Sequence, residues 1–391
     1  MSEQINKRDM IYTPRERVLA AMNLQKPDRV PLMCQFSIGA MMQQLKPSPA
    51  EFWYDGEVFA RGLVELRERF NFDGILVSLH GHSPDWKKDV LEIRDLEAGR
   101  QEVVFRDRTE LHSWSDLPMV YQLEKRVPAD ISEINPEKDI PSVIDYIPVS
   151  AGLYFKIDQE HKFDIFSYLS EITGGKYSVH GEITSPFDYL LDLLGYEQGL
   201  ISLIMDPDKC KVILEKFAAG IGDLAEEMCG CDIDAIKISS PFAGMGFISP
   251  EHYEEFVLPY ERAIISRIRA KGKHVYIHTC GHIDDRLELM RDSGASGLEC
   301  LDPAPVGNVD LKNAFERIGK SMFIKGNIDS VYSLLYADDA KAESDVLNII
   351  ETGRRGDGFI LSTACSIAPM VTKERILMLS RLVSRAGIYL P

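Results

Sequence analysis

The chain contains 391 residues, and because 45% of them are hydrophobic it can bury a large core. Its 44 basic and 61 acidic residues give a formal net charge of −17, which argues against a surface that binds nucleic-acid phosphates or anionic lipids. The first ten residues are polar, and no stretch has the ~18 consecutive apolar residues of a membrane-spanning helix, so we expect a cytoplasmic protein.

Helix and strand signals alternate from the start of the chain. Residues 13–24 have the pattern of a helix, because Thr13 is a suitable N-cap, Pro14 suits the first turn and Glu16 has the spacing of a capping box. The apolar run over 30–36 predicts a buried strand. A helix over 58–70 and a second strand over 74–78 follow.

The pattern changes over about residues 85–155. Two extended segments, 91–96 and 101–106, flank a short turn and predict a β-hairpin, and a charged stretch with prolines follows. We interpret this region as an insertion after the second strand that forms a lid or a partner surface. The whole chain, 1–391, is then expected to form one domain.

The second half of the chain returns to alternating strands and helices. Helices are expected over 163–169, after the serine-proline pair at 185–186, from Asp206 to Met228, and from Ser249 through Ile268. With one further strand allowed in the poorly patterned stretch before His180, there are about eight strands, which predicts a (β/α)8 TIM barrel. The remaining apolar runs predict strands at 177–183, 235–239, 274–278, 297–300, 322–325 and 359–362.

Soft metal ligands end several of these strands. His278 and Cys280 are two positions apart, so in an extended strand they project to the same side and can grip one ion. A catalytic zinc site needs a third protein ligand, and both Cys300 and Cys365 end short apolar runs. The seven cysteines are too few for a disulfide scaffold, and their odd number leaves at least one unpaired, which favours metal binding or catalysis.

Several short motifs occur along the chain: Lys26-Pro-Asp-Arg-Val-Pro31, Thr184-Ser-Pro-Phe-Asp188, Gly195-Tyr-Glu197, Met205-Asp-Pro207, Ser249-Pro-Glu251, Leu258-Pro-Tyr260 and Gly326-Asn-Ile-Asp329. Together they resemble the uroporphyrinogen decarboxylase superfamily, and among its branches the chain is similar to the zinc-dependent, corrinoid-linked methyltransferases. The decarboxylase branch binds its polycarboxylate substrate with arginines after the first strand, whereas residues 33–40 contain none.

The resemblance implies a zinc site made of His278, Cys280 and Cys365, the branch's His-x-Cys signature followed by a distant cysteine. One neutral imidazole and two thiolates cancel the charge of the ion and leave a fourth position open. Such a centre can hold an incoming thiol as thiolate, or it can polarise the oxygen of a methyl ether. The alternative is a core histidine beside two buried cysteines.

Other polar residues near predicted strand ends are candidates for the chemistry. Glu299 is expected to be a fourth ligand, a general acid or a supporting carboxylate. His180 shares a strand face with Glu182 and is a catalytic candidate that lines the pocket. Lys325 and Asn327 are also candidates for the lining of the pocket. The alternative for Lys325 is a structural ion pair.

Two further pairs have weaker claims. His80 and His82 follow a strand and could orient a substrate, although exposed loop histidines are the simpler interpretation. Cys229 and Cys231 have chelating spacing, but they lie at a helix end on the predicted opposite rim.

The resemblance implies methyl transfer to or from the cobalt of a corrinoid protein. Because the insertion can roof an organic pocket and the chain is longer than a minimal family member, we expect transfer from a small methylated donor, such as a methoxylated aromatic, to the cobalt. The chain has no Asp-x-His-x-x-Gly cobalamin run, so the corrinoid is expected on a separate partner. Alternatives are transfer from a methylated corrinoid protein to a small thiol, uroporphyrinogen decarboxylation, and a non-enzymatic barrel that docks corrinoid proteins.

Overall fold

The computed structural model describes residues 12–122, 128–150 and 152–389. None of the helices in these ranges is both long and apolar enough to cross a membrane. The helices are α1 (Pro14–Met22), α2 (Ile38–Leu45), α3 (Pro49–Tyr54), α4 (Gly56–Phe70), α5 (Pro136–Asp139), α6 (Asp164–Thr173), α7 (Pro186–Leu194), α8 (Tyr196–Met205), α9 (Pro207–Met228), α10 (Pro250–Phe256), α11 (Leu258–Ala270), α12 (Leu287–Asp292), α13 (Leu311–Ile318), α14 (Asp339–Gly353) and α15 (Lys373–Ala386).

The strands form one parallel sheet and two smaller antiparallel sheets. The parallel sheet is seven-stranded, in the order β1-β8-β9-β10-β11-β12-β13, and its strands are buried on both faces, as expected when helices cover a parallel sheet. The strands are β1 (Gly74–Val77), β2 (Val90–Leu96), β3 (Arg100–Phe105), β4 (Arg108–His112), β5 (Met119–Gln122), β6 (Tyr146–Ser150), β7 (Leu153–Lys156), β8 (Ser178–Thr184), β9 (Ala235–Ser239), β10 (His274–Thr279), β11 (Gly297–Cys300), β12 (Phe323–Ile328) and β13 (Phe359–Thr363).

Residues 30–36 close the sheet into the predicted (β/α)8 barrel. Leu361 on β13 donates its N–H to Pro31 O and accepts from Met33 N, while Leu32 O accepts from Asp73 N just before β1. The expected strand is not continuous, since it forms only isolated parallel bridges, from Leu32 to Leu361 on β13 and from Phe36 to Ile367 after that strand. A proline cannot donate a ladder hydrogen bond, which is one reason that regular pairing fails here.

A buried ion cluster fixes this closure. Asp73 is fully buried and accepts hydrogen bonds from Arg17 at 2.7 Å, from Arg29 at 2.9 Å and from the N–H of Leu32 at 2.8 Å. Arg17 also pairs with Asp28 at 2.6 Å. The helix α1, the closing segment and the start of β1 are thereby joined through one carboxylate.

The predicted insertion contains the two antiparallel sheets. The expected hairpin is confirmed as β2 and β3, which pair with β4 and β5 in a four-stranded sheet, and β6 pairs with β7. Neither sheet joins the barrel, so the further barrel strand allowed before His180 is not found in the described residues. The assignment of residues 1–391 to a single domain stays a prediction.

Most helix predictions are confirmed, with one correction. The helix expected from Ser249 through Ile268 is broken at Val257 into α10 and α11. Pro259 lies in the first turn of α11 and has no N–H for a hydrogen bond to the preceding turn. The apolar stripe therefore continues across the break, although the helical hydrogen bonds do not.

Candidate metal centre

Three side chains with metal-binding atoms meet at the carboxyl-terminal ends of the barrel strands. His278 lies on β10, Cys280 follows that strand directly, and Cys365 follows β13. Nε2 of His278 is 3.3 Å from Sγ of Cys280, which is 3.8 Å from Sγ of Cys365. The three ligand atoms lie within 4.8 Å of one another, so one ion can contact all of them.

The ring of His278 is oriented by Glu299. The two residues are register partners on β10 and β11, and their side chains therefore project to the same side of the sheet. Nδ1 of His278 is 2.9 Å from Oε2 of Glu299. Because the carboxylate accepts the proton on Nδ1, Nε2 is left available for a metal, and this is the usual environment of a metal-binding histidine.

Glu299 is held in turn by two buried lysines. Lys325, its register partner on β12, donates to Oε1, and Nζ of Lys237 on β9 is 3.6 Å from Oε2. Lys237 also lies 3.3 Å from Oε1 of Glu182. Burial raises the pKa of Glu299, but Lys325, Lys237 and His278 together outweigh burial and hold it well below its usual value. Glu299 is thus a buried anion fixed from three sides.

A second group of ligand atoms overlaps the first at Cys280. Cys280, Cys300 and Asp302 also lie within 4.8 Å of one another, and Sγ of Cys300 is 3.2 Å from Oδ2 of Asp302. The thiol of Cys300, and next that of Cys365, holds the pKa of Cys280 well below its usual value. The hydrogen bond that its thiol donates to Cys280, followed by burial, raises the pKa of Cys365. Cys280 is therefore the thiol of this cluster that deprotonates most readily.

The donor set of His278, Cys280 and Cys365 fits zinc. Imidazole nitrogen and thiolate sulfur are the ligands that zinc prefers, and three of them are the number found in catalytic sites. The bond from His278 to Glu299 supplies the carboxylate partner that such a ligand normally has. The group Cys280, Cys300 and Asp302 has no histidine and is shielded more deeply, with Cys300 fully buried.

A cavity of about 430 Å³ opens onto the three ligands. Its other walls include residues 116–117 and 147–150 of the insertion, together with the start of α7 and the loop after β9. The part of the sequence interpreted as a lid therefore contributes directly to the cavity wall. The volume suits a small organic molecule.

The structure does not bring His180 to this cavity. His180 is fully buried inside the barrel, with Nδ1 3.1 Å from the hydroxyl of Tyr276 and Nε2 3.1 Å from the hydroxyl of Ser178. Its strand neighbour Glu182 does line the cavity. A catalytic role for His180 stays a prediction without support from its position.

The interpretation of His80 and His82 as exposed loop residues is wrong. His80 is fully buried and His82 nearly so, since they pack against Phe163 and against Phe59 and Phe155, respectively. Burial lowers the pKa of His80 to about 4 and that of His82 to about 3, so both rings are neutral at pH 7. Neither residue lines the cavity at the ligands.

The remaining candidates have structural partners or lie elsewhere. Lys325 forms the structural ion pair with Glu299, and Asn327 donates to the backbone oxygen of Leu301 at 3.0 Å. Cys229 caps α9 at the opposite rim of the barrel, two residues before Cys231. Within the part of the chain that the structure describes, these two thiols belong to no group of three or more metal ligands.

Three residues of the site were missed from the sequence. Lys237 is a fully buried cation that also donates to Oε1 of Gln35 at 2.6 Å, and its signal was a lysine in the middle of an apolar strand. Asp188 lines the cavity at the start of α7, where it has the appearance of an ordinary first-turn acid. No pattern in the sequence pointed to Gln35.

Comparisons with known proteins agree on the kind of fold. Residues 137–386 match the family described as "Uroporphyrinogen decarboxylase (URO-D)". The chain is 24% identical over 372 residues to "Methylcobamide:CoM methyltransferase MtbA" of Methanosarcina acetivorans, covering 93% of this chain and 96% of that protein. It is also 24% identical over 277 residues to uroporphyrinogen decarboxylase of Geobacter metallireducens, covering 68% of this chain and 72% of that protein.

A solved structure gives the same result for the fold. A methyltransferase from Methanosarcina mazei superposes on this chain with a TM-score of 0.71 and 19% sequence identity. The superposition covers 96% of this chain and 99% of the other. The insertion and the barrel thus both lie within the length shared with a known methyltransferase.

Proposed function

The chain belongs to the uroporphyrinogen decarboxylase family, and from this premise we propose that it is a zinc-dependent methyltransferase that moves a methyl group between a small molecule and the cobalt of a separate corrinoid protein. The observation that carries the proposal is the convergence of His278, Cys280 and Cys365 on one point at the wall of a substrate-sized cavity. The relatives named methylcobamide:CoM methyltransferase support the same reaction class.

The residues of the chain have distinct tasks in this proposal. His278, Cys280 and Cys365 would hold zinc, which supplies Lewis-acid activation of a sulfur or oxygen atom of the small molecule. Glu299 keeps the proton of His278 on Nδ1, so that Nε2 faces the two sulfurs. Lys237 and Lys325 keep Glu299 ionised in a buried position. We therefore assign Glu299 a positioning role, in place of a general acid or a fourth ligand.

The direction of transfer has two candidates. Our first candidate is transfer from a small methylated donor, such as a methoxylated aromatic, to cobalt, because the insertion walls an organic-sized cavity with Leu117, Ile147 and Val149. The second candidate is transfer from a methylated corrinoid protein to a thiol, which the names of the relatives favour. Zinc-site X-ray spectroscopy separates the two, since only a thiol substrate adds a third sulfur to the metal.

Two other functions are less well supported. A porphyrinogen carries many carboxylates, and the described residues that line the cavity include no lysine or arginine to pair with them. A barrel that only docks corrinoid proteins would not require a cluster of zinc ligands. Zinc absent from freshly purified protein would favour that docking function.

The decisive test is direct methyl transfer. The zinc-loaded protein is incubated with a cobalt(I) corrinoid and a panel of methyl ethers, methylamines and methyl thioethers, and the absorbance of methyl-cobalt is followed. We expect methyl-cobalt with at least one donor, and none with the Cys365→Ala variant. If no donor reacts and methyl-cobalt with added thiols gives no methyl thioether, the proposed function is wrong.

A further inference from the structure

A buried lysine connects two polar side chains of the cavity wall. Nζ of Lys237, which is fully buried on β9, donates to Oε1 of Gln35 at 2.6 Å and lies 3.3 Å from Oε1 of Glu182. Gln35 belongs to the closing segment, and Glu182 lies on β8 as the register partner of Lys237. Both line the cavity at the metal ligands. One ammonium group therefore holds two residues from separate parts of the barrel at the same place in the wall.

The lysine determines which end of the Gln35 amide is left for a ligand. An ammonium group only donates hydrogen bonds, so the amide oxygen must face Lys237 and the amide nitrogen must face away from it. Nε2 of Gln35 has no hydrogen-bond partner among the residues that the structure describes. It is not one of the buried polar atoms that lack a partner there, so it is accessible. Gln35 thus offers an N–H donor at the wall.

Glu182 offers the opposite kind of group. Its buried Oε2 has no hydrogen-bond partner among the described residues, while 13% of the side chain remains exposed. Because a carboxylate rotates readily about its last bond, either oxygen can turn to the cavity while the other contacts Lys237. An acceptor without a partner is unfavourable in a buried position, and a donor from a bound molecule would satisfy it. The wall therefore presents one acceptor beside one donor.

A donor beside an acceptor is complementary to one kind of chemical group. An ammonium group only donates and a carboxylate or sulfonate only accepts, so each of these leaves one of the two wall groups without a partner. A hydroxyl accepts from Gln35 and donates to Glu182 through the same oxygen. It is also neutral, so its transfer from water into the cavity costs less than the transfer of an ion. The pair therefore fits a hydroxyl.

From this arrangement we propose that Gln35 and Glu182, held in place by Lys237, bind a hydroxyl group of the small molecule that exchanges its methyl group at the metal. The three residues determine specificity, and none of them takes part in the transfer itself. The inference rests on the proposed function, because it concerns the substrate of the same site. It goes further in assigning the residues that select the substrate and the group that they select.

Pairs of methyl thioethers test this selection. They are 2-, 3- and 4-(methylthio)phenol, each compared with the (methylthio)toluene in which a methyl group replaces the hydroxyl. Methyl thioethers are donors in one direction of transfer and products in the other, so the test does not depend on the direction. Binding to the zinc-loaded protein is measured by calorimetry. For at least one ring position we expect the phenol to bind about tenfold more tightly than the toluene, because it gains two hydrogen bonds.

Two variants of similar size connect the selection to the wall. Gln35→Met removes the donor. In Glu182→Gln the amide oxygen must face Lys237, so an N–H takes the place of the free acceptor. Each variant is expected to reduce the tenfold preference to about twofold or less. Thr184→Val removes another hydroxyl of the same wall, two residues after Glu182, and as the matched control it should retain the preference.

The outcomes separate this inference from the proposed function. The inference is overturned if no phenol binds more tightly than its toluene partner, if Gln35→Met and Glu182→Gln both keep the full preference, or if Thr184→Val abolishes it. Zinc content and methyl transfer are measured on the same wild-type preparation. Their absence would count against the proposed function, even where the preference for the hydroxyl is observed.

Discussion

At the residue scale, the metal centre depends on the position of one proton. Glu299 accepts from Nδ1 of His278 at 2.9 Å, so the other ring nitrogen faces Cys280 and Cys365. No single strand supplies all of these groups, because they come from β10, β11 and the segment after β13. The two groups of ligand atoms share Cys280, so variants of the residues that they do not share can show which group binds the metal.

Substitution of single ligands should identify the correct group. We expect Cys365→Ala and His278→Ala each to reduce zinc from about one ion per chain to near zero, since two remaining ligands are too few for a tight site. Cys300→Ala is the matched control and should retain zinc, because Cys300 belongs to the second group only. Metal analysis after gel filtration measures this. Zinc retained in Cys365→Ala and lost in Cys300→Ala would instead assign the ion to Asp302 and the two cysteines beside it.

Asp188 should make stability depend on pH. Burial, opposed by the hydrogen bond from Ser185, raises the pKa of Asp188 to about 8, whereas the unfolded chain releases this proton near pH 4. Since the folded state retains a proton that the unfolded state loses, the contribution of Asp188 to stability should decrease by up to about 1.4 kcal/mol per pH unit between about pH 4 and pH 8, and then level off.

The Asp188→Asn variant removes this titration. Its free energy of unfolding relative to wild type should therefore rise as the pH increases from about 5 to about 8. Urea unfolding of zinc-free samples measures it, with Asp357→Asn as the control for loss of one exposed acid. A difference between Asp188→Asn and wild type that stays constant over this pH range would contradict the prediction.

At the element scale, the insertion is attached to the barrel helices by a buried polar cluster. Glu110 on β4 is almost fully buried and accepts from the hydroxyl of Tyr54 on α3 at 2.5 Å and from Nε of Arg108 at 2.7 Å. Nε2 of His112 lies 2.8 Å from the same carboxylate. The cluster fixes the four-stranded sheet on α3.

Removal of Glu110 should loosen the insertion selectively. In Glu110→Ala the buried partners lose their acceptor, so we expect amide hydrogen exchange in β2–β5 to become about tenfold faster or more, with β9–β11 unchanged. Exchange mass spectrometry resolves the two regions. Glu92→Ala removes an exposed ion pair with Arg94 and serves as the control. Equal acceleration in the barrel strands would show that the sheet is not an independently opening element.

At the scale of the whole molecule, barrel closure depends on Asp73. The segment 30–36 forms only isolated parallel bridges, with Leu361 of β13 and with Ile367 after it, so its backbone pairing is weak compared with that of the regular strands. The carboxylate of Asp73 compensates by binding Arg17, Arg29 and the N–H of Leu32. Asp28 and Arg29 of the 26–31 motif belong to this cluster, so the motif has a structural role in closing the barrel.

Loss of the Asp73 carboxylate should destabilise the whole barrel. We expect Asp73→Ala to lower the free energy of unfolding by about 3–5 kcal/mol, because buried Arg17 and half-buried Arg29 lose their shared partner. Asp28→Ala, which removes a partly exposed partner of Arg17, should cost only about 1 kcal/mol. Thermal and urea unfolding compare the two variants. Similar losses for both would show that the closure does not depend on Asp73.

The sequence by itself determined the alternation of strands and helices, the hairpin of the insertion and the pairing of His278 with Cys280 on one strand face. These features follow from local periodicity and turn chemistry, which short stretches of sequence encode. From the residues alone, Cys300 and Cys365 remained equal candidates for the third ligand, and Lys237 and Asp188 went unnoticed.

Only the tertiary structure decided which of these groups meet. Cys365 is 85 residues from Cys280 in the sequence. It follows β13, which lies beside the closing segment and three strands from β10 in the sheet, so closure of the barrel brings the two sulfurs together. His80 and His82 are buried because Phe155 of the insertion and Phe163 at the N-cap of α6 cover them. Contacts across the barrel depend on closure and on how the insertion packs, and no local pattern carries that information.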